Sequence, residues 1–207
     1  MSHYRTHEEV RDEYVQSMGS ELGELYHELS DELTWLHMKW GQYRELFGKD
    51  PARIDLLNIV APFFFGVLSR TLFEDILLHL ARMTDPARSF GKDNLTVHKL
   101  PELIVDPTLR IDVELALGRV NLTCDFARQW RNRRLAHSDL LTARNPQLLP
   151  AASRQCIEDA LATIRELLNR LELHYRSSEV GYEFTNEPGG AELLVYYLEN
   201  GLESEEL

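Results

Sequence analysis

Between Leu22 and Phe47 the large apolar side chains fall at Leu25, Leu29, Leu33, Leu36, Trp40, Tyr43 and Phe47, three or four positions apart, so they share one face of a long helix. Gly48-Lys49-Asp50-Pro51 is expected to end it, the glycine by accepting positive φ and the proline by breaking the hydrogen-bond ladder. A second helical region covers Ile54 to Thr84. Pro62 lies inside it and should start a new helix or kink the old one. Beyond Pro62, Phe64, Val67, Leu68, Thr71, Leu72, Ile76, Leu80 and Met83 form a broad apolar face, which places this helix at the centre of the domain.

Asp85-Pro86 closes that helix, Ser89 to Asn94 reads as a loop, and a short helix is expected near Val97 to Ile104. Asp106-Pro107-Thr108 is a helix start, followed by Ile111, Val113, Leu115, Leu117, Val120, Leu122, Phe126 and Trp130. Ser138 to Pro150 reads as a loop and Ser153 to Tyr175 as another amphipathic helix, through Ile157, Leu161, Ile164, Leu168, Leu171 and Tyr175. A last short helix, Ala191 to Asn200, precedes an acidic tail. Val180 to Phe184 is the one strand candidate. The fold class that follows is all-α, an antiparallel helical bundle with a long N-terminal helix and a short C-terminal helical extension. The expected division is a helical lead-in over residues 1–21, a bundle over 22–176 and an extension over 177–207.

Composition narrows the possible functions. A chain of 207 residues with 43% hydrophobic content can fill one sizeable core. A net charge of −12 excludes a protein that coats nucleic acid non-specifically, so any nucleic-acid site must be local. The apolar run Ile59 to Leu80 contains Arg70, Glu74, Asp75 and His79, which disqualifies it as a membrane span. Met1-Ser-His-Tyr-Arg-Thr-His lacks the basic start and apolar core of a signal peptide, so a cytoplasmic location is expected. Cys124 and Cys156 stand apart from any second Cys or nearby His at metal-ligand spacing, and two buried reduced thiols are expected. His27 and His37 lack a convergent third ligand in the sequence, so no metal and no cofactor are assigned. Neither a Gly-rich phosphate loop nor a Gly-x-Ser-x-Gly elbow occurs, which disfavours nucleotide-cofactor enzymes and ordinary hydrolases.

One segment reverses the charge of the chain. Between Arg128 and Arg144, five arginines (Arg128, Arg131, Arg133, Arg134 and Arg144) stand against Asp139 alone, a formal +4. Guanidinium groups match phosphate oxygens with paired donors, and Trp130 offers a ring on which a base or an arginine can stack. The same arginines can instead pair with acids of neighbouring helices, with Trp130 in the core. His137 adds chemistry: an imidazole can take a proton from an RNA 2′-hydroxyl while an arginine stabilises the pentavalent phosphate, and no metal is needed. A histidine at a helix end also serves as a surface or capping residue. Arg131 and His137 are six positions apart, which on a straight helix puts them about 120° apart, whereas Arg133 shares the face of His137.

Trp130-Arg131-Asn132-Arg133-Arg134-Leu135-Ala136-His137-Ser138-Asp139 resembles the signature of the HEPN superfamily, and its branch associated with abortive phage infection in particular. Leu57-Asn58, Ala61-Pro62, Phe64-Phe65 and Leu80-Ala81-Arg82-Met83-Thr84-Asp85-Pro86 also resemble that branch, extending the likeness over roughly residues 35–175. The resemblance implies a HEPN-like bundle that forms a homodimer, with two Arg/His sets meeting in one cleft, and metal-independent endoribonuclease activity in toxin–antitoxin or antiphage systems. It implies Arg131 as the phosphate-stabilising arginine, Asn132 as the polar residue after it and His137 as the base; the helix angle lets Arg133 replace or assist Arg131. Arg128, Trp130, Arg134 and Arg144 are then RNA-binding residues, and RNA and an antitoxin protein are the expected partners. Non-catalytic members of the superfamily leave a second reading open, a module that binds RNA, nucleotide or an antitoxin without reaction. Arg70 with Glu74, and Asp75 with His79, are each four apart on one helix and are read as supporting pairs ahead of the alternative that they orient the cleft.

Overall fold

The computed structural model describes residues 5–136, 139–184 and 189–205. Its first two helices, α1 (His7–Met18) and α2 (Ser20–Phe47), make a hairpin that depends on two glycines. Gly19 turns the chain at φ 87°, a conformation that costs other L-residues free energy. At Gly23 a β-carbon would lie 2.6 Å from both the Tyr14 carbonyl oxygen and the Val15 Cα, so only glycine lets α2 approach α1 this closely. Thr6 starts α1 with a capping box closed by Glu9.

Helix α2 ends where its sequence does, but Gly48 sits at φ −123°, so the stop does not use the positive φ expected of it. Asp50 and Pro51 begin α3 (Pro51–Val60), with the Asp50 carboxylate accepting from the Arg53 N–H at 2.9 Å. Pro62 starts α4 (Pro62–Met83) rather than kinking a longer helix. Only the second half of α4 is central. Ile76, Leu77, Leu80, Ala81 and Met83 are buried, while Phe63, Phe64 and Val67 are 85%, 59% and 51% exposed. The apolar face read from the sequence therefore has two fates, core at one end and open surface at the other.

A two-residue-per-strand hairpin, β1 (Arg88–Ser89) with β2 (Lys92–Asp93), turns through Phe90 and Gly91 at φ 51° and 78°. A 3₁₀ turn and α5 (Leu100–Leu103) occupy the place of the expected short helix. Asp106 caps α6 (Pro107–Thr123) through the N–H groups of Thr108 and Leu109, at 2.7 and 2.8 Å. Val113, Leu117 and Val120 face inward, whereas Ile111, Leu115 and Leu122 are exposed on the opposite side, so the apolar positions of this helix mixed two faces. A break at Cys124 leads into α7 (Asp125–Trp130), which packs on α4.

Ser138 to Pro150 is not all loop: α8 (Leu140–Arg144) forms because the Asp139 carboxylate accepts from the Thr142 N–H at 2.9 Å. Helix α9 (Arg154–Arg176) buries Ile157, Leu161, Ile164, Leu168 and Leu171 as its spacing requires, and packs along α6. The Val180–Phe184 segment is not a strand; it loops back so that buried Tyr182 reaches Ser30, hydroxyl to hydroxyl at 3.0 Å. Helix α10 (Ala191–Glu205) lies on α2 and α3, covering a small second cluster of Leu46, Leu57, Phe65 and Val195. Its start is fixed by Gln42, whose side-chain oxygen accepts from the Ala191 N–H at 2.6 Å.

The main core joins α2, α4, α6 and α9 through Tyr26, Leu33, Leu36, Ile76, Leu80, Val113, Ile164 and Leu168. Polar contacts stitch α2 to α4: Lys39 donates to Asp75 at 2.5 Å, and His79 Nε2 lies 2.6 Å from Glu32 Oε2. Asp75 and His79 are thus each engaged by α2 rather than by one another, because the interior lies between the helices and not along α4. Arg70 and Glu74 do pair, at 2.9 Å. Cys124 is buried and Cys156 half-buried, both as free thiols. Among the described residues no helix is long and apolar enough to cross a membrane.

Candidate functional site: an arginine-rich π turn

The helical path of α7 does not continue unchanged into the arginine motif. From Arg131 to Leu135 the backbone widens into a π-helical turn, in which the Ala136 N–H donates to the Arg131 carbonyl at 2.8 Å, five positions back. The Asp139 N–H then reaches the Arg133 carbonyl at 3.1 Å. A widened turn of this kind is uncommon and frequent at functional sites. It also removes the basis for the straight-helix angles used to compare Arg131 with Arg133. His137 and Ser138 lie outside the described residues.

The π turn spreads its arginines in different directions. Arg131 donates to the Asp85 carboxylate, just past the end of α4, and its Nε donates to the Asn132 side-chain oxygen at 3.0 Å. Both partners of the Arg131–Asp85 pair are largely withdrawn from solvent, with side chains 22% and 21% exposed. Arg133 donates to the Leu148 carbonyl at 3.0 Å, tying the turn to the segment after α8. The Arg134 guanidinium lies over the Trp130 ring, 5.6 Å from its centroid, and its Nε is 3.9 Å from Glu74. Arg128 donates to the Asn121 carbonyl at 2.6 Å and to the Thr84 hydroxyl at 3.3 Å. Arg144 is exposed in the last turn of α8.

Trp130 is therefore an arginine platform and part of the core boundary. Its indole N–H donates to the Pro150 carbonyl at 2.9 Å, and its ring meets Phe73 edge to face, 6.2 Å between centroids. That arrangement leaves the stacking role to Arg134.

Arg133, Arg134, Leu135 and Asp139 share an open groove of about 310 Å³ with Arg70 and Glu74 of α4 and with Thr142 and Ala143 of α8. Two cations from the motif and one from α4 thus face two carboxylates there. Asp139 is held below the usual carboxylate range first by the Thr142 hydroxyl, then by the Thr142 N–H, with Arg133 adding a smaller effect. Arg131 is not a lining residue of this groove; it is turned toward Asp85. Beyond Arg128 the imidazole of His98 contacts Asn121 Oδ1 at 3.0 Å. Burial lowers its pKa, the Asn121 hydrogen bond opposes that, and the Arg128 charge lowers it further.

Of the residues proposed from sequence, the structure brings Arg133 and Arg134 to one groove, stacks Arg134 on Trp130, joins Asn132 to Arg131 and leaves Arg144 on the surface. Asp85 and Glu74 are the partners that sequence reasoning did not assign to the site. Asp85 stood in the Leu80–Pro86 stretch already noted for its likeness, and Glu74 one turn from Arg70, but neither spacing indicates an arginine more than 40 positions away.

The HEPN_AbiU2 family (AbiU2) matches residues 19–193, which takes in α2 through the start of α10 and the whole arginine motif. No curated protein and no solved structure matches the chain. With an all-α bundle and a match over most of its length, this chain belongs to the HEPN_AbiU2 family, a HEPN-type family associated with abortive infection.

Proposed function

We propose that the chain is a metal-independent endoribonuclease of the toxin or antiphage-defence type. The observation that carries this reading is the π turn Arg131–Leu135, an arginine-rich, widened backbone segment that ends two positions before His137 in the sequence. In the proposed reaction His137 takes the proton of an RNA 2′-hydroxyl. The 2′-oxygen attacks the adjacent phosphorus, the bond to the 5′-oxygen breaks, and that oxygen leaves with a proton from solvent. The products are a 2′,3′-cyclic phosphate and a 5′-hydroxyl. Arg131, with Arg133 assisting, stabilises the charge of the phosphorane, and Arg128, Arg134 and Arg144 hold the strand, with Trp130 supporting Arg134 through its ring.

A homodimer is part of this proposal. Phe63, Val67, Arg70 and Glu74 follow one another at intervals of three or four on α4, so the exposed apolar stripe runs into the charged groove beside Arg133 and Arg134. Ile59 and Val60 of α3 extend the same exposed apolar surface. An open apolar face of this kind marks an interaction surface, and a second copy seated on it would set two arginine motifs on one groove.

A binding module without turnover is favoured by a different observation. Arg131, Arg133 and Arg134 already have partners within the chain, so a phosphate must compete with Asp85, the Leu148 carbonyl and Glu74. Incubation of purified protein with RNA in chelator separates the two readings. Fragments ending in 2′,3′-cyclic phosphate support the nuclease; salt-sensitive binding weakened by Arg131→Ala, with no such product, supports the module.

A further inference from the structure

Outside the arginine motif, two histidines and an aspartate meet on the α1–α2 hairpin. His7 is the first residue of α1; His27 and Asp31 are one turn apart on α2. Their ligating atoms all lie within 4.8 Å of one another. His27 Nε2 is 3.4 Å from His7 Nδ1 and 3.8 Å from Asp31 Oδ2, and His7 Nε2 is 2.5 Å from the same carboxylate oxygen. The two imidazole rings lean on each other with centroids 4.3 Å apart. We infer that His7, His27 and Asp31 form a binding site for a divalent transition-metal ion of the zinc class, which clamps the start of α1 to the middle of α2.

Donor chemistry selects the ion. Two imidazole nitrogens and one carboxylate oxygen suit zinc and its neighbours, whereas magnesium and calcium call for oxygen donors. Bond lengths of about 2.0–2.1 Å around a tetrahedral ion separate its ligands by about 3.3 Å. The 3.4 and 3.8 Å separations from His27 are close to that edge. The shorter His7–Asp31 contact is made by His7 Nε2, the ring nitrogen other than the one facing His27, so His7, with a side chain 69% exposed, turns to present a single nitrogen to the ion.

Burial distinguishes this cluster from a chance surface grouping. His27 is 1% exposed, and its Nδ1 is buried without a hydrogen-bond partner among the described residues. Nε2 is the ring atom through which His27 faces its two neighbours, His7 and Asp31. Tyr14 closes the inner side, its ring centroid 6.0 Å from that of His27. Asp31, at 47% side-chain exposure, leaves the outer side open, so water completes the coordination. In the sequence His27 has no convergent third ligand; in the structure His7 comes to it from a different helix, brought in by the turn at Gly19 and the close approach at Gly23.

The test is isothermal titration of ZnCl₂ into the untagged full-length protein, repeated for His7→Gln and Asp31→Asn, both at exposed positions that leave the core intact. The expected result is one equivalent bound by wild type, a rise in its melting temperature on loading, and at least about tenfold weaker binding in each variant. Cobalt(II) in place of zinc gives visible d–d absorption in wild type that His7→Gln loses. Absence of saturable one-equivalent binding, or His7→Gln binding zinc as wild type does, overturns the site. Neither readout depends on RNA cleavage.

Discussion

Arg131, the first residue of the π turn, is paired with Asp85, which stands just beyond the end of α4. The pair joins the arginine motif to the Leu80–Pro86 segment, both within the residues matched by the family. Because both side chains are mostly withdrawn from solvent, Asp85 sets where the guanidinium points.

Asp85→Ala should therefore lower RNA cleavage by about tenfold, equivalent to about 1.4 kcal/mol of transition-state stabilisation. The partial exposure of the pair limits the stability loss to about 1–2 kcal/mol in urea denaturation. Asp85→Asn, which keeps an acceptor oxygen, should retain more activity than the alanine variant. Equal activity in all three proteins would remove Asp85 from the positioning of Arg131.

The exposed stripe on α4 makes a separate prediction. Phe63→Glu places a charge at an 85% exposed position and should leave monomer stability within about 0.5 kcal/mol. It should nonetheless convert a dimer to a monomer in sedimentation velocity and reduce cleavage with it. A variant that stays dimeric would place the interface elsewhere.

Acid should weaken the fold before its carboxylates titrate. Burial lowers the His79 imidazole to about 4, and the Lys39 charge lowers it further while Glu32 opposes. Burial also lowers His37 to about 4, with Glu183 opposing and Arg165 assisting. An unfolded histidine titrates near about 6.5. The unfolded chain thus binds more protons than the folded one below that pH, and stability falls as pH drops from about 6.5 toward about 4. Carboxylates held low by their partners, Asp106 and Asp139 among them, lose their contribution at lower pH. The urea midpoint of wild type should fall across the histidine window, and His79→Leu should flatten the fall. Parallel pH profiles for the two proteins would contradict the assignment.

Much of the bundle was legible because its helices carry single, regular stripes. Leu29, Leu33 and Leu36 of α2 and Ile157, Leu161, Ile164 and Leu168 of α9 are buried as their spacing requires. Pro62 and Pro107 mark helix starts for the same local reason, a fixed φ, and Asp106 adds a capping carboxylate before Pro107. Spacing could not separate core from surface where both were apolar, as at Phe63 and Val67 of α4 or Ile111 and Leu115 of α6, since the difference lies in what covers each face. The π turn was illegible because nothing in Arg-Asn-Arg-Arg-Leu favours a five-residue hydrogen-bond step over a four-residue one. The Asp85 partner of Arg131 and the His7 partner of His27 depend on tertiary approach between helices, which a single sequence does not display.

The claim that most needs a direct answer is that His137 acts as the base in RNA cleavage. Wild type and His137→Ala, shown by circular dichroism and thermal melting to be equally folded, should be incubated with labelled RNA in chelator and the fragment ends identified. The account predicts 2′,3′-cyclic phosphate ends from wild type and a loss of at least about a hundredfold in rate for the variant. Equal cleavage by the two proteins, or no cyclic-phosphate product from wild type, would contradict it.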